Sequence, residues 1–199
     1  IDGAGEADGS DVQAVALRHA LEAPARPLDA IEVAVEGAAP RYCLNIASIG
    51  LSGAVDEAVA ARRGSYLLAT LGAVWRYRPR ACRVEVDGEL LTDAPFFVVA
   101  CANGRYFGKG MKVAPDAVVD DGLLDVVCVD PVPRWQLPLR MAQFVTGRHV
   151  GLPQVEVRRG REVRVAPPTD FFPFDVDGET LDAGPATIRL LPKALRVIR

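Results

Sequence analysis

The sequence predicts a mainly β domain with a few helices, folded as an antiparallel sandwich or barrel. Three observations indicate this fold class: many short segments with strand character, alternation of apolar and polar residues within several of them, and tight-turn signals between them. The alternation is clear in Val155–Arg158 and Val163–Val165. Pairs such as Asp87-Gly88 and Asp177-Gly178 suit two-residue hairpins, because both central residues need positive φ.

The predicted elements follow the chain in order. A first helix is expected over Asp11–Glu22, where apolar residues recur at helical spacing until Pro24 ends the pattern. Strands are predicted at Ala30–Val35, Arg41–Ala47, Arg83–Val86, Phe96–Ala102, Leu123–Val129, Gln154–Arg158, Glu162–Ala166, Phe172–Val176, Thr187–Leu191 and Leu195–Ile198. Further helices are predicted at Gly53–Arg63, Tyr66–Tyr77 and Trp135–Val145. Pro138 lies in the first turn of the last helix, where proline is tolerated.

Composition and charge limit the classes of function. The 199 residues include 23 basic and 26 acidic side chains, a formal charge of -3, and half of the residues are hydrophobic. A chain of this kind folds around a core without disulfides. It lacks the net positive charge of nucleic-acid binders, so no nucleic-acid partner is expected. No segment resembles a membrane span or a signal peptide, which predicts a cytoplasmic protein.

Cysteine and histidine residues give little sign of chemistry. The four cysteines, Cys43, Cys82, Cys101 and Cys128, are too widely spaced for the usual metal or dithiol motifs, and we expect buried thiols in a reducing compartment. His19 and His149 have no paired ligand or nucleophile at a recognisable spacing. We expect both to be surface or structural residues.

The segment Phe171–Glu179 concentrates carboxylates beside aromatic residues. In an extended strand Asp175 and Asp177 project to one face, and the turn at Gly178 returns Glu179 to the same end. Apolar surroundings and like charges prepare a carboxylate as a general base. The alternative is a hairpin with a solvated acidic tip, and the similar segment Val84–Leu90 favours a repeated hairpin.

The turn Asp120-Asp121-Gly122 offers oxygen ligands. One carboxylate and neighbouring backbone carbonyls could hold a hard cation such as Mg²⁺. The alternative is an Asx turn, in which the aspartate side chain bonds its own backbone.

Two short runs of arginine occur, at Arg76–Arg80 and at Arg158–Arg164. The usual interpretation is a solvated strand or loop face. Near an anionic bilayer each arginine would add about 1 kcal/mol of attraction, which could hold a peripheral enzyme at its lipid.

Four segments in order carry a resemblance to a known family: Asn45–Gly53, Tyr66–Pro79, Phe96–Asp125 and Val176–Glu179. Together they resemble the C-terminal half of the bacterial diacylglycerol kinase and sphingosine kinase-like lipid kinases. The resemblance implies the β-sandwich that forms the second domain of the NAD kinase/diacylglycerol kinase-like fold. It implies an enzyme that transfers the γ-phosphate of ATP to a lipid hydroxyl.

The resemblance also implies roles for individual residues. Asp177 matches the family's general base and Glu179 its acidic neighbour. The Asp121 carboxylate, with the carbonyls of Val118 and Leu123, matches a structural Mg²⁺ site. ATP would be bound mainly by an N-terminal nucleotide-binding domain that this sequence lacks, so the isolated chain is expected to be inactive.

The expected organisation is a linker and short helix over residues 1–28, from the missing domain, and a sandwich over 29–199. One departure from the family is Lys109, which splits the glycines of the loop at Gly108 and Gly110. The expected partners are a lipid at the inner membrane face and the missing domain, with which Leu195–Ile198 could pair; a homodimer is left open. The alternatives are a non-catalytic lipid- or partner-binding module and a kinase for a soluble substrate such as NAD.

Overall fold

Two six-stranded antiparallel sheets pack face to face in the computed structural model, which describes residues 9–51, 72, 74–107, 110–168 and 172–198. The helices and strands are α1 (Gly9–Glu22), β1 (Arg26–Val35), β2 (Arg41–Cys43), β3 (Ile46–Gly50), β4 (Arg80–Ala81), β5 (Arg83–Val86), β6 (Glu89–Thr92), β7 (Pro95–Phe96), β8 (Val98–Ala102), β9 (Leu124–Val129), α2 (Leu137–Thr146), β10 (Val155–Gly160), β11 (Glu162–Ala166), β12 (Phe172–Val176), β13 (Glu179–Ala183) and β14 (Ala186–Val197). Short 3₁₀ turns at Arg134–Gln136 and Arg148–Gly151 flank α2.

The strand order defines the two layers. The first sheet runs β2-β1-β14-β11-β5-β6 and the second runs β10-β9-β8-β3-β12-β13, while β4 and β7 form a separate pair. Every pairing between these strands is antiparallel. The predicted mainly β, antiparallel sandwich is therefore confirmed.

The main core fills the space between the sheets. Ile31 and Ile188 enter it from the first sheet, and Ile49, Val99 and Phe174 enter it from the second. These side chains are fully buried. Because successive residues of a strand point to opposite faces, β1, β8 and β14 contribute alternate residues to this core.

The second sheet is also covered on its other face. Val99 in β8 faces the main core, whereas Val98 and Ala100 face a second cluster that includes Val113 and Leu137. All residues of β8 and β9 are buried. This two-sided burial explains their nearly continuous apolar sequences and places α2 over the outer face of the sheet.

The predicted strand Arg41–Ala47 is wrong as one element, because the chain passes from one sheet to the other within it. β2 ends at Cys43 in the first sheet, and β3 begins at Ile46 in the second. The backbone N–H groups between them bind the Asp177 side chain rather than a neighbouring strand. Phe96–Ala102 is likewise divided, between β7 and β8.

Conversely, the last two predicted strands form one long strand, β14. An irregularity interrupts its pairing with β1 opposite Asp29, whose buried carboxylate accepts the N–H of Lys193 at 2.6 Å. Lys193 has a φ of 52° there. Leu195 pairs with Leu28, so this segment continues the first sheet beside β1.

The predicted helices are confirmed where the structure describes them. α1 covers Asp11–Glu22, and Trp135–Val145 forms a 3₁₀ turn followed by α2. Pro138 lacks the N–H that an α-helix starting at residue 134 would need, so the regular helix begins later. Residues 72 and 74–76 are helical, as predicted for Tyr66–Tyr77, while the rest of that helix and Gly53–Arg63 lie outside the described residues.

All four cysteines are free and buried, as predicted. Burial raises the pKa of both Cys101 and Cys128 to about 12, which makes them unreactive thiols. In the part of the chain that the structure describes, no helix has both the length and the apolar character needed to cross a bilayer.

Candidate functional site

The β12–β13 hairpin carries Asp177 at its tip. Asp177 has a φ of 50° and Gly178 a φ of 90°, as expected for the predicted two-residue turn. The Asp177 carboxylate accepts three backbone N–H groups, from Ile46 at 2.8 Å, Leu44 at 2.9 Å and Asn45 at 3.2 Å. An ionised carboxylate has about four acceptor positions, so these bonds fix its orientation and leave one position open.

The connection between β2 and β3 is itself held by a loop of the second sheet. The carbonyl of Asn45 accepts the N–H groups of Asn103 at 2.9 Å and Gly104 at 3.0 Å. The Asn45 side chain donates to the Tyr106 carbonyl at 2.9 Å. A Cβ on residue 104 would clash with Asn45 Oδ1, so any other residue there would displace the Asn45 side chain. These contacts fix the backbone that binds Asp177.

The other two carboxylates of the motif have different surroundings. Asp175 is buried, and its Oδ1 accepts the N–H of Gly178 at 2.6 Å. Glu179 is exposed and pairs with Arg41 at 3.1 Å. Burial, with the charges of Asp177 and Asp175, raises the pKa of the Cys43 thiol. Asp175 and Asp177 thus lie near one another, while Glu179 pairs with β2 of the other sheet.

An apolar cavity of about 410 Å³ opens beside this hairpin, between the outer face of the second sheet and α2. Its walls comprise Asn45, Ile46, Leu51, Val74, Phe97, Val98, Phe107, Met111, Val129, Val132, Leu137, Arg140, Met141, Phe144, Leu152, Gln154, Val155, Asp175, Asp177 and Gly178. Asp175 and Asp177 are its only carboxylates among the described residues. Its volume falls within the usual range of small-molecule sites.

The sequence did not predict this cavity, although it contained part of the signal. In the sequence, Leu137, Met141 and Phe144 recur at helical spacing, which places them on one face of the predicted helix. These residues do pack against the second cluster, and they also line the cavity. Arg140 and Gln154, the polar residues on the α2 side, had no sequence signal.

The similar segment around Asp87 makes similar hydrogen bonds in the first sheet. Asp87 has a φ of 50°, and its carboxylate accepts the N–H groups of Arg161 at 3.0 Å and Glu162 at 2.9 Å. Asp87 is absent from the walls of the cavity. Local hydrogen bonding therefore does not distinguish the two aspartates, whereas the cavity does.

The turn predicted to hold Mg²⁺ contains an Asx turn and an ion pair. Asp121 Oδ1 accepts the N–H of Leu123 at 3.0 Å, and Oδ2 is hydrogen-bonded to Arg159. Gly122 donates its N–H to the buried Asp29 carboxylate at 2.8 Å. Among the described residues, no group of three or more acidic, histidine or cysteine side chains is arranged to hold a metal ion. A cation here would need backbone carbonyls as further ligands.

Asp125 follows this turn, and one of its carboxylate oxygens, Oδ2, is buried without a hydrogen-bond partner among the described residues. Burial raises the pKa of Asp125, with Asp121 and Asp116 adding to the rise and Arg159 opposing it. Arg159 lies against two carboxylates, Asp121 and Asp125. A hard divalent cation could take its place only if Arg159 turned away from Asp121 and backbone carbonyls completed the ligand set.

Arg158, Arg159 and Arg164 of the second arginine run pair with nearby carboxylates. Arg158 pairs with Glu156 at 2.7 Å and Arg164 with Glu162 at 2.8 Å. Together with the Arg159 ion pair, these contacts match the solvated strand face that the sequence offered as one alternative. From the first run, Arg80 lies over the Phe172 ring at 5.0 Å.

His149 is a structural residue, as expected. Its ring is fully buried, stacks on Phe144 with a centroid distance of 3.9 Å, and donates from Nε2 to the Val113 carbonyl at 2.9 Å. Desolvation lowers the pKa of His149. His19 lies in α1, and Lys109 lies outside the described residues.

Known proteins provide an independent comparison. The model of the YegS C-terminal NAD kinase beta sandwich-like domain matches residues 45–199. A protein named probable lipid kinase YegS-like, from Xanthomonas oryzae, is 29% identical over 189 residues, and the aligned region covers 92% of this chain and 60% of that relative. A diacylglycerol kinase of Mycobacterium tuberculosis is 31% identical over 138 residues, covering 69% of this chain and 44% of the relative.

Solved structures agree on the fold. A diacylglycerol kinase structure from Bacillus anthracis aligns with a TM-score of 0.57 and 17% identity, covering 87% of this chain and 54% of that one. Yeast NADH kinase aligns with a TM-score of 0.52 and 10% identity, covering 94% and 47%. The chain therefore belongs to the family of the YegS C-terminal β-sandwich domain, whose relatives include YegS-like lipid kinases and diacylglycerol kinases.

Proposed function

We propose that the chain is the lipid-binding and base-supplying domain of an ATP- and Mg²⁺-dependent lipid kinase that phosphorylates a diacylglycerol-like hydroxyl. The observation that carries the proposal is the apolar cavity with Asp177 in its wall. Such a cavity suits hydrocarbon, and a carboxylate in its wall suits a hydroxyl group. The names of the relatives agree with a lipid substrate.

In the proposed reaction, the lipid hydroxyl oxygen bonds to the γ-phosphorus of ATP as the bond from that phosphorus to ADP breaks. Asp177 takes the hydroxyl proton through its open acceptor position. The N–H groups of Leu44, Asn45 and Ile46 hold the carboxylate in one orientation for this transfer. A positioned base contributes about 10²- to 10⁴-fold to the rate.

Glu179 is proposed as a supporting acidic residue. Its ion pair with Arg41 links the tip of the β12–β13 hairpin to β2. β2 leads directly into the backbone that binds Asp177.

Mg²⁺ is proposed at the Asp121 turn, with the carbonyls of Val118 and Leu123 as further ligands. There it would stabilise the fold by supplying positive charge beside the Asp121 and Asp125 carboxylates. Arg159 has to release Asp121 for this, and Asp125 Oδ2 provides the adjacent free oxygen. ATP is proposed to bind mainly on an N-terminal domain outside this sequence.

Peripheral association with a membrane is proposed through the outer face of α2 together with the 3₁₀ turn Arg134–Gln136 that precedes it. Trp135 is 77% exposed and Leu139 is 62% exposed, next to the helix residues that line the cavity. Residues 131–155 contain no acidic side chain, and Arg134 and Arg148 are exposed. An apolar face with tryptophan and arginine suits the interface of an anionic bilayer.

We further propose that the isolated chain transfers no phosphate. It spans 60% of the length of the Xanthomonas relative and 44% of the Mycobacterium one. Phosphoryl transfer depends on positioning the nucleotide as well as the acceptor, so a chain that positions only the acceptor would not catalyse it.

The test compares two aspartates that have the same local structure. ATP-dependent transfer is measured with the longest natural chain containing this sequence, on a panel that includes diacylglycerol, sphingosine and NAD. Asp177→Asn is expected to lose about 10²- to 10⁴-fold in rate. Asp87→Asn, which changes the equivalent turn away from the cavity, is expected to retain transfer.

Three results would contradict the proposal. Equal loss in both variants would assign Asp177 a structural role only. Transfer to NAD alone would indicate a kinase for a soluble substrate. No transfer to any substrate, with Mg²⁺ present and the protein folded, would favour a non-catalytic lipid- or partner-binding module.

A further inference from the structure

Among the described residues that line the cavity, Arg140 is the one cation, and none of them forms an ion pair with it. Its Nη1 donates to Gln143 Oε1 at 3.1 Å and its Nη2 to Gln136 Oε1 at 2.9 Å, and both partners are neutral residues of the same helical segment. None of the ion pairs among the described residues includes Arg140. The two glutamines therefore fix the guanidinium without balancing its charge.

Two buried polar atoms belonging to residues of the cavity wall have no hydrogen-bond partner among the described residues. They are Arg140 Nε and Gln154 Oε1. Buried polar groups are nearly always paired in folded proteins, because an unpaired one loses its bonds to water without replacement. The Gln154 amide can present either its oxygen or its N–H by turning over, whereas Arg140 can only donate. A ligand here is therefore expected to offer an acceptor.

The rest of the α2 side of the cavity is hydrocarbon, including Leu137, Met141 and Phe144. A phosphate would place most of its oxygens against these walls, since Arg140 is the only cation described there. An acyl group matches both features, because it joins a hydrocarbon chain to one strong carbonyl or carboxylate acceptor. An ether-linked alkyl chain has similar length and a much weaker acceptor.

We propose that Arg140 and Gln154 bind the carbonyl or carboxylate oxygen of an acyl group, and so select acyl lipids over alkyl lipids. The catalytic consequence of this selection rests on the proposed kinase function. The binding itself does not, because it needs neither ATP nor Asp177.

The test measures binding without ATP, using the longest natural chain that contains this sequence. Dioleoylglycerol, its dialkyl ether analogue and free oleate compete against a fluorescent acyl probe in detergent micelles. The wild type is expected to bind the diester about tenfold or more tightly than the diether, the range of a charge-assisted hydrogen bond. Oleate distinguishes a free carboxylate from an ester as the source of the acyl oxygen.

Arg140→Met keeps an unbranched side chain and removes the donors, so the preference for ester over ether is expected to fall close to one. Arg164→Met is the matched control: it makes the same substitution at an exposed arginine of β11 that does not line the cavity, so the preference should persist. Circular dichroism and thermal unfolding verify that both variants fold.

The inference is overturned if the folded wild type binds diester and diether equally and does not bind oleate through Arg140. It is also overturned if Arg140→Met keeps the wild-type preference. Arg140-dependent binding of the diester, of oleate or of both supports it. If such binding occurs and no phosphate is transferred, the inference stands and the kinase proposal fails.

Discussion

Asp87 and Asp177 occupy equivalent positions in two hairpins, one in each sheet. Each has a φ of 50° and is followed by a glycine with positive φ. The Asp87 N–H donates to the Glu162 carbonyl at 2.9 Å, and the Asp177 N–H donates to the Ile46 carbonyl at 3.1 Å. Each carboxylate in turn binds the N–H groups at the start of the adjacent strand. The turn is therefore a structural unit that occurs twice and borders the cavity once.

Both aspartates are expected to stabilise the fold. Replacing Asp87 or Asp177 by alanine leaves two or three backbone N–H groups without their acceptor, which should lower the free energy of unfolding by about 1–3 kcal/mol. Denaturant unfolding measures the change. The exposed Asp93, replaced by alanine, provides the control and should have little effect. An unchanged stability for Asp177→Ala would mean that these hydrogen bonds are absent in solution.

Stability is expected to fall in mild acid because of His149. Its pKa is lowered in the folded state by burial, so below about pH 6.5 the unfolded chain takes up a proton that the folded chain does not. The free energy of unfolding should then decrease with falling pH, by at most about 1.4 kcal/mol per pH unit. Denaturant unfolding between pH 7.5 and 5.5 measures this slope.

His149→Gln should reduce the slope, because glutamine keeps an N–H donor and does not titrate in this range. His19→Gln, the same substitution in α1, should leave it as in the wild type. A slope that His149→Gln does not alter would assign the acid sensitivity to other groups.

Mg²⁺ is expected to stabilise the protein through Asp121. At a concentration tenfold above the dissociation constant, the ion should add about 1.4 kcal/mol to the free energy of unfolding. Thermal unfolding with and without Mg²⁺ measures the shift. Asp121→Asn should abolish it and Asp93→Asn should preserve it. A shift that survives Asp121→Asn would place the ion elsewhere, and no shift in the wild type would remove the proposed site.

The outer face of α2 is expected to bind anionic vesicles. Replacing both Trp135 and Leu139 by serine removes two exposed apolar side chains and should weaken binding at least tenfold. Sedimentation with phosphatidylglycerol-containing and purely zwitterionic vesicles measures this. Leu195→Ser, at an exposed apolar position of β14, is the matched control. If the control weakens binding as much as the double variant, the contact is not specific to α2.

Sequence patterns predicted strands in which apolar and polar residues alternate as the side chains alternate between buried and exposed positions. Glu162–Ala166 and Phe172–Val176 were predicted with the observed bounds, and the turns after Val86 and Val176 were identified from Asp-Gly pairs. Arg41–Ala47 was not resolved into two strands. The break at Leu44 depends on Asp177, which is 133 residues away, and local propensity contains no such information.

The candidate site was predictable only in part, for the same reason. The resemblance pointed to Asp177, since that motif is contiguous in sequence. Residues of β3, β8, α2 and the start of β10 line the cavity. These elements lie together because of the strand order in the sheet, which their spacing in the sequence does not indicate. The sequence did not indicate a role for Arg140. Its distinguishing feature is that no described carboxylate pairs with it, and this can be seen only in the folded structure.

The distance along the chain between Ile46 and Asp177 also imposes a delay during synthesis. These residues are 131 apart, so β3 leaves the ribosome well before the side chain that binds its first N–H exists. At about 5–20 residues per second, the wait is roughly 7–26 s. Throughout that time the nascent strand lacks its later neighbour β12, and the two halves of the site meet only after β12 has been synthesised.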